Sequence, residues 1–490
     1  MPTRPVADDI ADCVLAAFGR LPNKFKPRIL ADGKRREWVP LAGMVLSRDA
    51  KQHSDDSGVA DDDHHGPSMI PTAVQDKPNS SSGTALTCVA LATGMKCLPH
   101  DKLPLAKGNV LHDCHAEILA MRAFNRWLVD ECANLAEEGG ESLWVRRRSR
   151  GRQRRGADRP TGECDEIDDG AVDESGEEDE AERRPFELRE DVRIHMYCSE
   201  APCGDASMEV LARGMADGTP WDTTTSASGP PSSRDEKTAT ENSPNEQRLE
   251  EADSSSKTTN LLHGRAFFSL VGIVRRKPGR VDAPPTMSKS CSDKLAMKQC
   301  TGLLSSFTAL LVNPTANTYL SSFVLPARAM VRESIERAFG ADGRMSDMAM
   351  FSSGGFRFRP FEVTTTTSSF AWEKSEDAVA SNLSAVAVLG GRIQHQEVLI
   401  NGVLQGRKIF DPRGASSLSR RRMWESVLDV VLKAQLVNLE ISPCADGQTY
   451  EQVKNQPRLS ARGRMKAEVR EKALVGWSRN IGDDQWLLER

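Results

Sequence analysis

An α/β domain interrupted by long polar insertions is the fold class this 490-residue sequence predicts, and three observations carry the prediction. Apolar residues alternate over several short stretches, recur at helical spacing over one long stretch, and vanish over three others. Alternation sends successive side chains to opposite faces of a strand, whereas recurrence every three or four residues builds one helix face. Stretches without aliphatic residues bury too little apolar surface to offset the entropy of ordering them.

Taken in order, Glu37 to Leu46 (EWVPLAGMVL) and Thr87 to Thr93 read as short strands. His115 to Glu131 reads as a helix, with Ile118, Met121, Phe124 and Leu128 along one face. Val192 to Cys198 places Val192, Ile194, Met196 and Cys198 in the alternation of a half-buried strand. Pro202 then stands where a helix N-terminus is expected, ahead of Met208, Val210 and Leu211, because the first turn does not need proline's missing N–H. The insertions fall at 51–82, 146–184 and 223–259. The first holds Asp61-Asp62-Asp63-His64-His65, which reads as a solvated loop. The second sets Arg146, Arg147, Arg148, Arg150, Arg152, Arg154 and Arg155 against an acidic run from Glu163 to Glu182, the opposite-sign blocks of a disordered loop. The third is rich in Ser, Thr, Pro and charge.

The formal charge of −5 argues against a generic basic nucleic-acid binder, but the acidic run supplies much of it, so the folded part is nearer neutral or basic. Eleven cysteines without tight pairing fit a reducing compartment, where thiols are free or bind metal. Met1 to Phe18 has no long apolar stretch and carries Asp8, Asp9 and Asp12. Nothing reaches the roughly 20 apolar residues of a membrane span. The expectation is a soluble intracellular protein, of cytoplasm or nucleus, with no membrane association and no obligate protein partner.

Chemistry concentrates in His115-Ala116-Glu117 and Pro202-Cys203. Zinc favours nitrogen and thiolate ligands, and a catalytic site leaves its fourth position to water. Glu117, two residues after His115 at a helix start, can reach such a water without binding the metal. Cys203 near a helix N-terminus gains a positive dipole end that favours thiolate. This is the H-x-E … P-C signature of zinc nucleobase deaminases. Most of that superfamily places a second cysteine three residues after the first. Position 206 is Ala206, so a third ligand must come from elsewhere. Singly, His115 reads as a core histidine and Cys203 as a small core hydrophobe; the combination carries the meaning.

Val110 to Glu117 (VLHDCHAE), Pro202 to Ala206 (PCGDA) and Ser290 to Lys294 (SCSDK) resemble, in that order, the three deaminase boxes of the adenosine deaminases acting on RNA, the editase family. Leu21 to Arg28 (LPNKFKPR) with Arg36 to Leu46 resembles the start of its tRNA-specific branch, with Phe25 where glycine is expected. Arg275 to Arg280 (RRKPGR) is similar to that branch's lead-in to the third box, and Tyr450 to Lys454 (YEQVK) with Gly476 to Trp486 to its carboxy-terminal portion. The resemblance implies a cytidine-deaminase-like central sheet flanked by helices, elaborated into one large editase domain over 1–490 that contains the insertions. It puts Cys291 beside His115 and Cys203 on zinc. It implies hydrolytic deamination of adenosine to inosine, by attack of an activated water at C6 with Glu117 as proton carrier. A base inside a helix cannot reach the metal, so the adenosine must be flipped or unpaired.

The resemblance further implies inositol hexakisphosphate within the domain, held by Arg122, Lys294, Tyr450, Lys454 and Trp477, with Asp113 linking Lys294 to the metal. The residues alone leave ordinary ion pairs open as the account of Arg122 and Lys294. Met121, Met297 and Asn480 stand where relatives can place basic residues, so other cations, Arg420 or Arg421 among the candidates, must help neutralise the phosphates. Lys96 resembles an RNA phosphate-contacting lysine and is otherwise an ordinary surface residue. No double-stranded-RNA-binding module is recognisable, which points to tRNA, at the adenosine just 3′ of the anticodon in tRNA-Ala. Two alternatives stand beside this: an enzyme acting on messenger or another structured RNA, and an inactive RNA-binding relative. Intact His115, Glu117, Cys203 and Cys291 count against the second.

Overall fold

The structure, a computed structural model, describes residues 6–30, 35–48, 85–148, 184–213, 270–277, 283–435 and 447–488. The stretches 51–82 and 223–259 lie outside the described residues, as does 149–183 of the second predicted insertion. Arg146 and Arg147, read from sequence as the start of that insertion, instead belong to strand Val145–Arg147, paired antiparallel with Phe186–Leu188. Arg146 there meets Glu187 at 2.9 Å and Glu190 at 2.7 Å. At the other boundary, Arg184 donates to the carbonyls of Ala309 and Arg458. A charge pattern does not distinguish a guanidinium paired across a hairpin from one in a loop.

The central sheet has eight strands: β1 Leu41–Arg48, β2 Leu86–Thr93, β3 Val192–Cys198, β4 Leu320–Pro326, β5 Glu362–Thr366, β6 Ser384–Val388, β7 His395–Ile400 and β8 Val403–Leu404. Their spatial order is β5-β4-β3-β1-β2-β6-β7-β8. The β3–β4 and β4–β5 pairs are parallel and the others antiparallel. β1 at the centre is buried from Leu41 to Ser47, as a strand covered on both faces must be. Its alternation divides the core. Leu41 and Val45 pack with Ile10 and Val14 of helix α1 (Ala7–Gly19), and Ala42, Met44 and Leu46 pack on the opposite face with α2 (Ala116–Ala136). Gly43 lies directly under α1, where a Cβ would run into the Val14 side chain.

Further helices are α3 Met208–Arg213, α4 Cys291–Thr301, α5 Arg332–Phe339, α6 Arg420–Lys433, α7 Tyr450–Lys454 and α8 Ser460–Lys472. The apolar faces of α4, α6 and α8 join the α2 side of the core through Leu295, Trp424 and Met465. α2 runs past the predicted end at Glu131, because Cys132, Leu135 and Ala136 continue its buried face. His115 is not helical. It ends the short strand Asp113–His115 and caps α2, and that strand pairs antiparallel with Met95–Cys97. Among the described residues, no helix is long and apolar enough to cross a membrane.

Candidate active site and the basic cavity beside it

Three segments remote in sequence deliver the polar cluster. The strand Asp113–His115 carries His115 to the N-terminus of α2, whose first turn holds Glu117. The second segment follows β3. Pro202 does not open a helix; a bend at Cys203 and Gly204 precedes a 3₁₀ turn, Asp205–Ser207, that leads into α3. Gly204 has φ 101°, and a Cβ there would collide with the Ser290 side chain, so glycine lets this bend lie against the third segment. That third segment is the start of α4, where Ser290 caps the helix by accepting from the Asp293 N–H and Cys291 is the first helical residue.

Hydrogen bonds sew the two cysteine segments together. The Ser292 hydroxyl lies 3.0 Å from the carbonyls of Pro202 and Cys203 and accepts from the Ala206 N–H at 3.1 Å. The Ser292 N–H donates to the Cys203 carbonyl, and the Cys291 N–H points at Cys203 Sγ at 3.3 Å. As a result one donor atom from each of His115, Cys203 and Cys291 lies within 4.8 Å of the others, with His115 Nδ1 at 3.8 Å from Cys203 Sγ.

The electrostatics suit a dication. A hydrogen bond from Cys291 holds the Cys203 thiol well below its ordinary value against the cost of burial, helped by Lys277 and His115. Burial and Lys277 push the His115 imidazolium down, yet the negative sulfur of Cys203 holds it up to about 10. One imidazole and two thiols drawn into mutual reach, with Cys203 favoured as the thiolate and Cys291 pushed up by burial and by Cys203, fit the ligand set of an open zinc site. Burial raises Glu117 above the usual carboxyl range, opposed by the charge of His115. Cys97, Asp113 and His115 also lie within 4.8 Å of one another, but the Asp113 carboxylate is already taken by two ammonium groups.

Those two groups are Lys277 and Lys294. Lys277 Nζ lies 2.8 Å from Asp113 Oδ2 and 3.2 Å from Cys291 Sγ, and Lys294 Nζ bonds the same carboxylate. Burial would raise Asp113, but the two ammonium groups outweigh it and hold the carboxyl well below its usual range. Lys277, buried at 3% side-chain exposure, was not singled out from the sequence. It lies inside RRKPGR, the stretch similar to the lead-in to the third box, and nothing in that stretch separates this lysine from its basic neighbours.

Lys294 also lines a cavity of about 340 Å³ on the far side of Asp113. Arg122, Tyr450 and Trp477 of the predicted set line it, as do Met121, Met297 and Asn480. Lys454 is not on the wall and sits 5.1 Å from the Tyr450 ring centre. Of the two arginines considered, Arg420 lines the cavity, while Arg421 stacks on Trp486 outside it. Four cations that the sequence did not suggest complete the wall: Lys298 from α4, and Arg462, Lys466 and Arg470 at successive turns of α8. Asp113 is the one acidic side chain among the lining residues. The donors of Arg122, Lys298 and Arg462 reach the carbonyls of Leu418, Leu303 and Leu304, which satisfy hydrogen bonds without cancelling charge. Burial and the Arg462 guanidinium depress both Lys298 and Lys466 well below the ordinary lysine value. Such a wall is chemically suited to a multiply charged anion.

Lys96 is half-buried on the strand Met95–Cys97, opposite Cys114, between Met95, which faces His115, and Cys97, which faces Asp113. The sequence expectation thus brings Lys96, Asp113, His115, Glu117, Cys203 and Cys291 into one neighbourhood, with Arg122, Lys294, Tyr450 and Trp477 in the adjoining one.

Comparison with known proteins matches this architecture. The family model for the adenosine-deaminase (editase) domain matches residues 90–154 and 168–481. A protein of Schizosaccharomyces pombe named tRNA-specific adenosine deaminase 1 is 30% identical over 489 residues, covering 98% of this chain and 97% of its own. The Saccharomyces cerevisiae protein of the same name is 25% identical over 86% of this chain and 82% of its own. A mouse double-stranded RNA-specific adenosine deaminase is 24% identical over 41% of this chain and 11% of its own length. With a match running through all three segments that build the cluster, the chain belongs to the adenosine-deaminase (editase) domain family.

Proposed function

We propose that this chain, one editase domain over 1–490, hydrolyses adenosine to inosine in tRNA, at the adenosine just 3′ of the anticodon of alanine tRNA. The convergence of His115, Cys203 and Cys291 with buried Glu117 is the observation that carries the reaction. The tRNA reading rests on the two yeast tRNA-specific relatives, which match 98% and 86% of this chain, against 41% for the mouse double-stranded-RNA-specific one.

His115, Cys203 and Cys291 would hold zinc, which supplies a Lewis acid that makes water nucleophilic near neutral pH. Glu117 takes a proton from the attacking water on its carboxylate and delivers it to N1 of the adenine. It then carries the second proton to the departing amine, so adenosine and water leave as inosine and ammonia. Burial raises Glu117 above the usual carboxyl range, the direction that suits a group acting as base and then acid. Lys277 keeps Cys291 and Asp113 charge-balanced from behind the ligands. Lys96 would contact an RNA phosphate beside the site.

The basic cavity would hold inositol hexakisphosphate through Arg122, Lys294, Tyr450 and Trp477, with Lys454 behind Tyr450. Arg420, Lys298, Arg462, Lys466 and Arg470 would supply the charge that Met121, Met297 and Asn480 do not. Asp113 and Lys294 connect that ligand to the metal ligands.

The test is inosine formation in an alanine tRNA transcript by purified protein, with Glu117→Ala beside wild type. Inosine 3′ of the anticodon is expected from wild type, and a loss of about 10²–10⁴-fold in the variant at unchanged zinc content. Activity on duplex RNA but none on the alanine tRNA transcript would overturn the substrate reading and leave the deaminase reading standing.

A further inference from the structure

Each cysteine of the cluster is followed two residues later by an aspartate, Asp205 after Cys203 and Asp293 after Cys291. Neither carboxylate has a part in the chemistry described so far, yet both are buried, at 1% and 0% exposure. Asp293 Oδ2 accepts from the Ser290 hydroxyl at 2.6 Å and from the Arg275 N–H at 3.0 Å. Its Oδ1 is left to Arg344 Nη1 at 2.7 Å. Asp205 Oδ1 accepts from the Gly272 N–H at 2.7 Å and from Arg337 Nε at 3.0 Å, and its Oδ2 faces Arg344 Nε at 3.9 Å. Arg337 also donates to the Asp205 carbonyl and to the Glu209 carboxylate of α3.

Both arginines come from one element. Arg337 lies in the last turn of α5, and Arg344 follows in a turn folded back so that its N–H bonds the Arg337 carbonyl at 2.9 Å. Gly343 permits that fold, since a Cβ there would run into the carbonyls of Glu336 and Arg337. Ile335, Ala338, Phe339 and Met345 fix the element in the core around the two arginines. At 4% exposure the Arg344 side chain is expensive to desolvate, so an apolar replacement could match it in stability. Its distinctive property is a rigid planar fork, which sets the separation of the two acids it faces.

We infer that Arg344, braced by Arg337, is a positioning residue for the metal centre, fixing the spacing of the Cys203 and Cys291 segments from the core. This rests on the reading of His115, Cys203 and Cys291 as metal ligands. The Ser292 hydrogen bonds tie the two segments to each other, whereas the arginines refer both to a third, anchored element. Groups that orient ligands without touching the metal typically carry about 10–100-fold of its affinity.

The experiment titrates the full chain, stripped of metal, with Co²⁺ in competition with a chelator. Thiolate-to-cobalt charge transfer reports the bound sulfurs, and the d–d bands report their arrangement. Arg344→Met should bind cobalt about 10–100-fold more weakly than wild type and show shifted d–d bands at saturation. Arg344→Lys keeps the charge without the fork and should recover little of that loss. Arg48→Met is the control for stability alone: it breaks the 2.6 Å contact with Asp191 at the opposite end of β1 from the Cys203 segment, and should leave cobalt affinity and spectrum unchanged. Should Arg344→Met not fold, Asp205→Asn replaces it, keeping an acceptor for Gly272 and Arg337 while removing the charge that faces Arg344; weaker cobalt binding is again expected. Unaltered affinity and bands in the variant used, full recovery in Arg344→Lys, or an equal loss in Arg48→Met overturns the proposal and leaves the metal reading intact. Wild type that binds no cobalt overturns both.

Discussion

On one side of Asp113, positive and negative groups alternate: Lys277 lies between the Asp113 carboxylate and Cys291, and His115 faces Cys203. On the other side, Arg122, Lys298, Arg462, Lys466 and Arg470 face one another across a cavity. The first region is close to self-sufficient, because each charge has its partner in the chain and only a dication is needed to gather the donors. The second is built at the expense of the folded chain's own stability, since like charges brought out of water repel. A wall of this kind makes a ligand part of the fold. Asp113 joins the two regions, and substitutions on either side of it can break the contrast or sharpen it.

The largest effect is expected at the junction. Asp113→Ala leaves Lys277 buried without its carboxylate and should lower unfolding stability by about 3–5 kcal/mol, read by denaturant titration. It should also release zinc and polyanion together, whereas two independent regions would lose only one. Next comes Lys298→Met, whose effect should change sign with the ligand. In protein freed of polyanion it removes a repelling cation and stabilises by about 1–3 kcal/mol, while in the loaded protein it destabilises by a similar amount. Melting curves with and without inositol hexakisphosphate give both signs, and the same sign in both states would refute the contrast. On the metal side, Ser292→Ala cuts the stitches between the Cys203 and Cys291 segments. It should cost about 1–3 kcal/mol and weaken zinc binding by about 10–100-fold in a chelator competition, without altering polyanion retention.

The last effect is a pH slope. Lys289 is buried near Lys294 and Arg276, and burial first, then those cations, push it down to about 7. A lysine whose folded value is depressed binds fewer protons folded than unfolded. Ligand-free stability should then rise with pH between about 7 and the ordinary lysine value of 10.5. Scanning calorimetry across that window should show a shallower slope for Lys289→Met.

Legibility in the sequence followed the same division. His115, Glu117, Cys203 and Cys291 sit in short local patterns whose residue types have few other reasons to coincide. The strand Val192–Cys198 was legible from its alternating apolar residues, although it is buried on both faces rather than half-buried, and the long helix after His115 from its apolar period. Pro202 misled because a helix start and a tight bend both tolerate proline, and only the approach of Ser290 to Gly204 decides between them. Arg462, Lys466 and Arg470 were not legible at all. Cations four residues apart on a helix ordinarily mark its solvated face, and nothing local records that α8 turns that face onto a cavity. Lys277 was hidden in the same way among its basic neighbours.

The order in which the chain is made gives the α8 cations a further consequence. His115, Cys203 and Cys291 are all synthesised before Arg462, Lys466 and Arg470 exist. At roughly 5–20 residues per second, the ribosome needs on the order of 10–30 seconds to travel from Cys291 to Lys466. During that interval the nascent metal segments can meet, but Asp113 and Lys294 border a space whose far wall has not been made. The polyanion proposed for that cavity would be enclosed only as the last helices dock, so supply of that small molecule at the moment of chain completion would set the yield of folded protein.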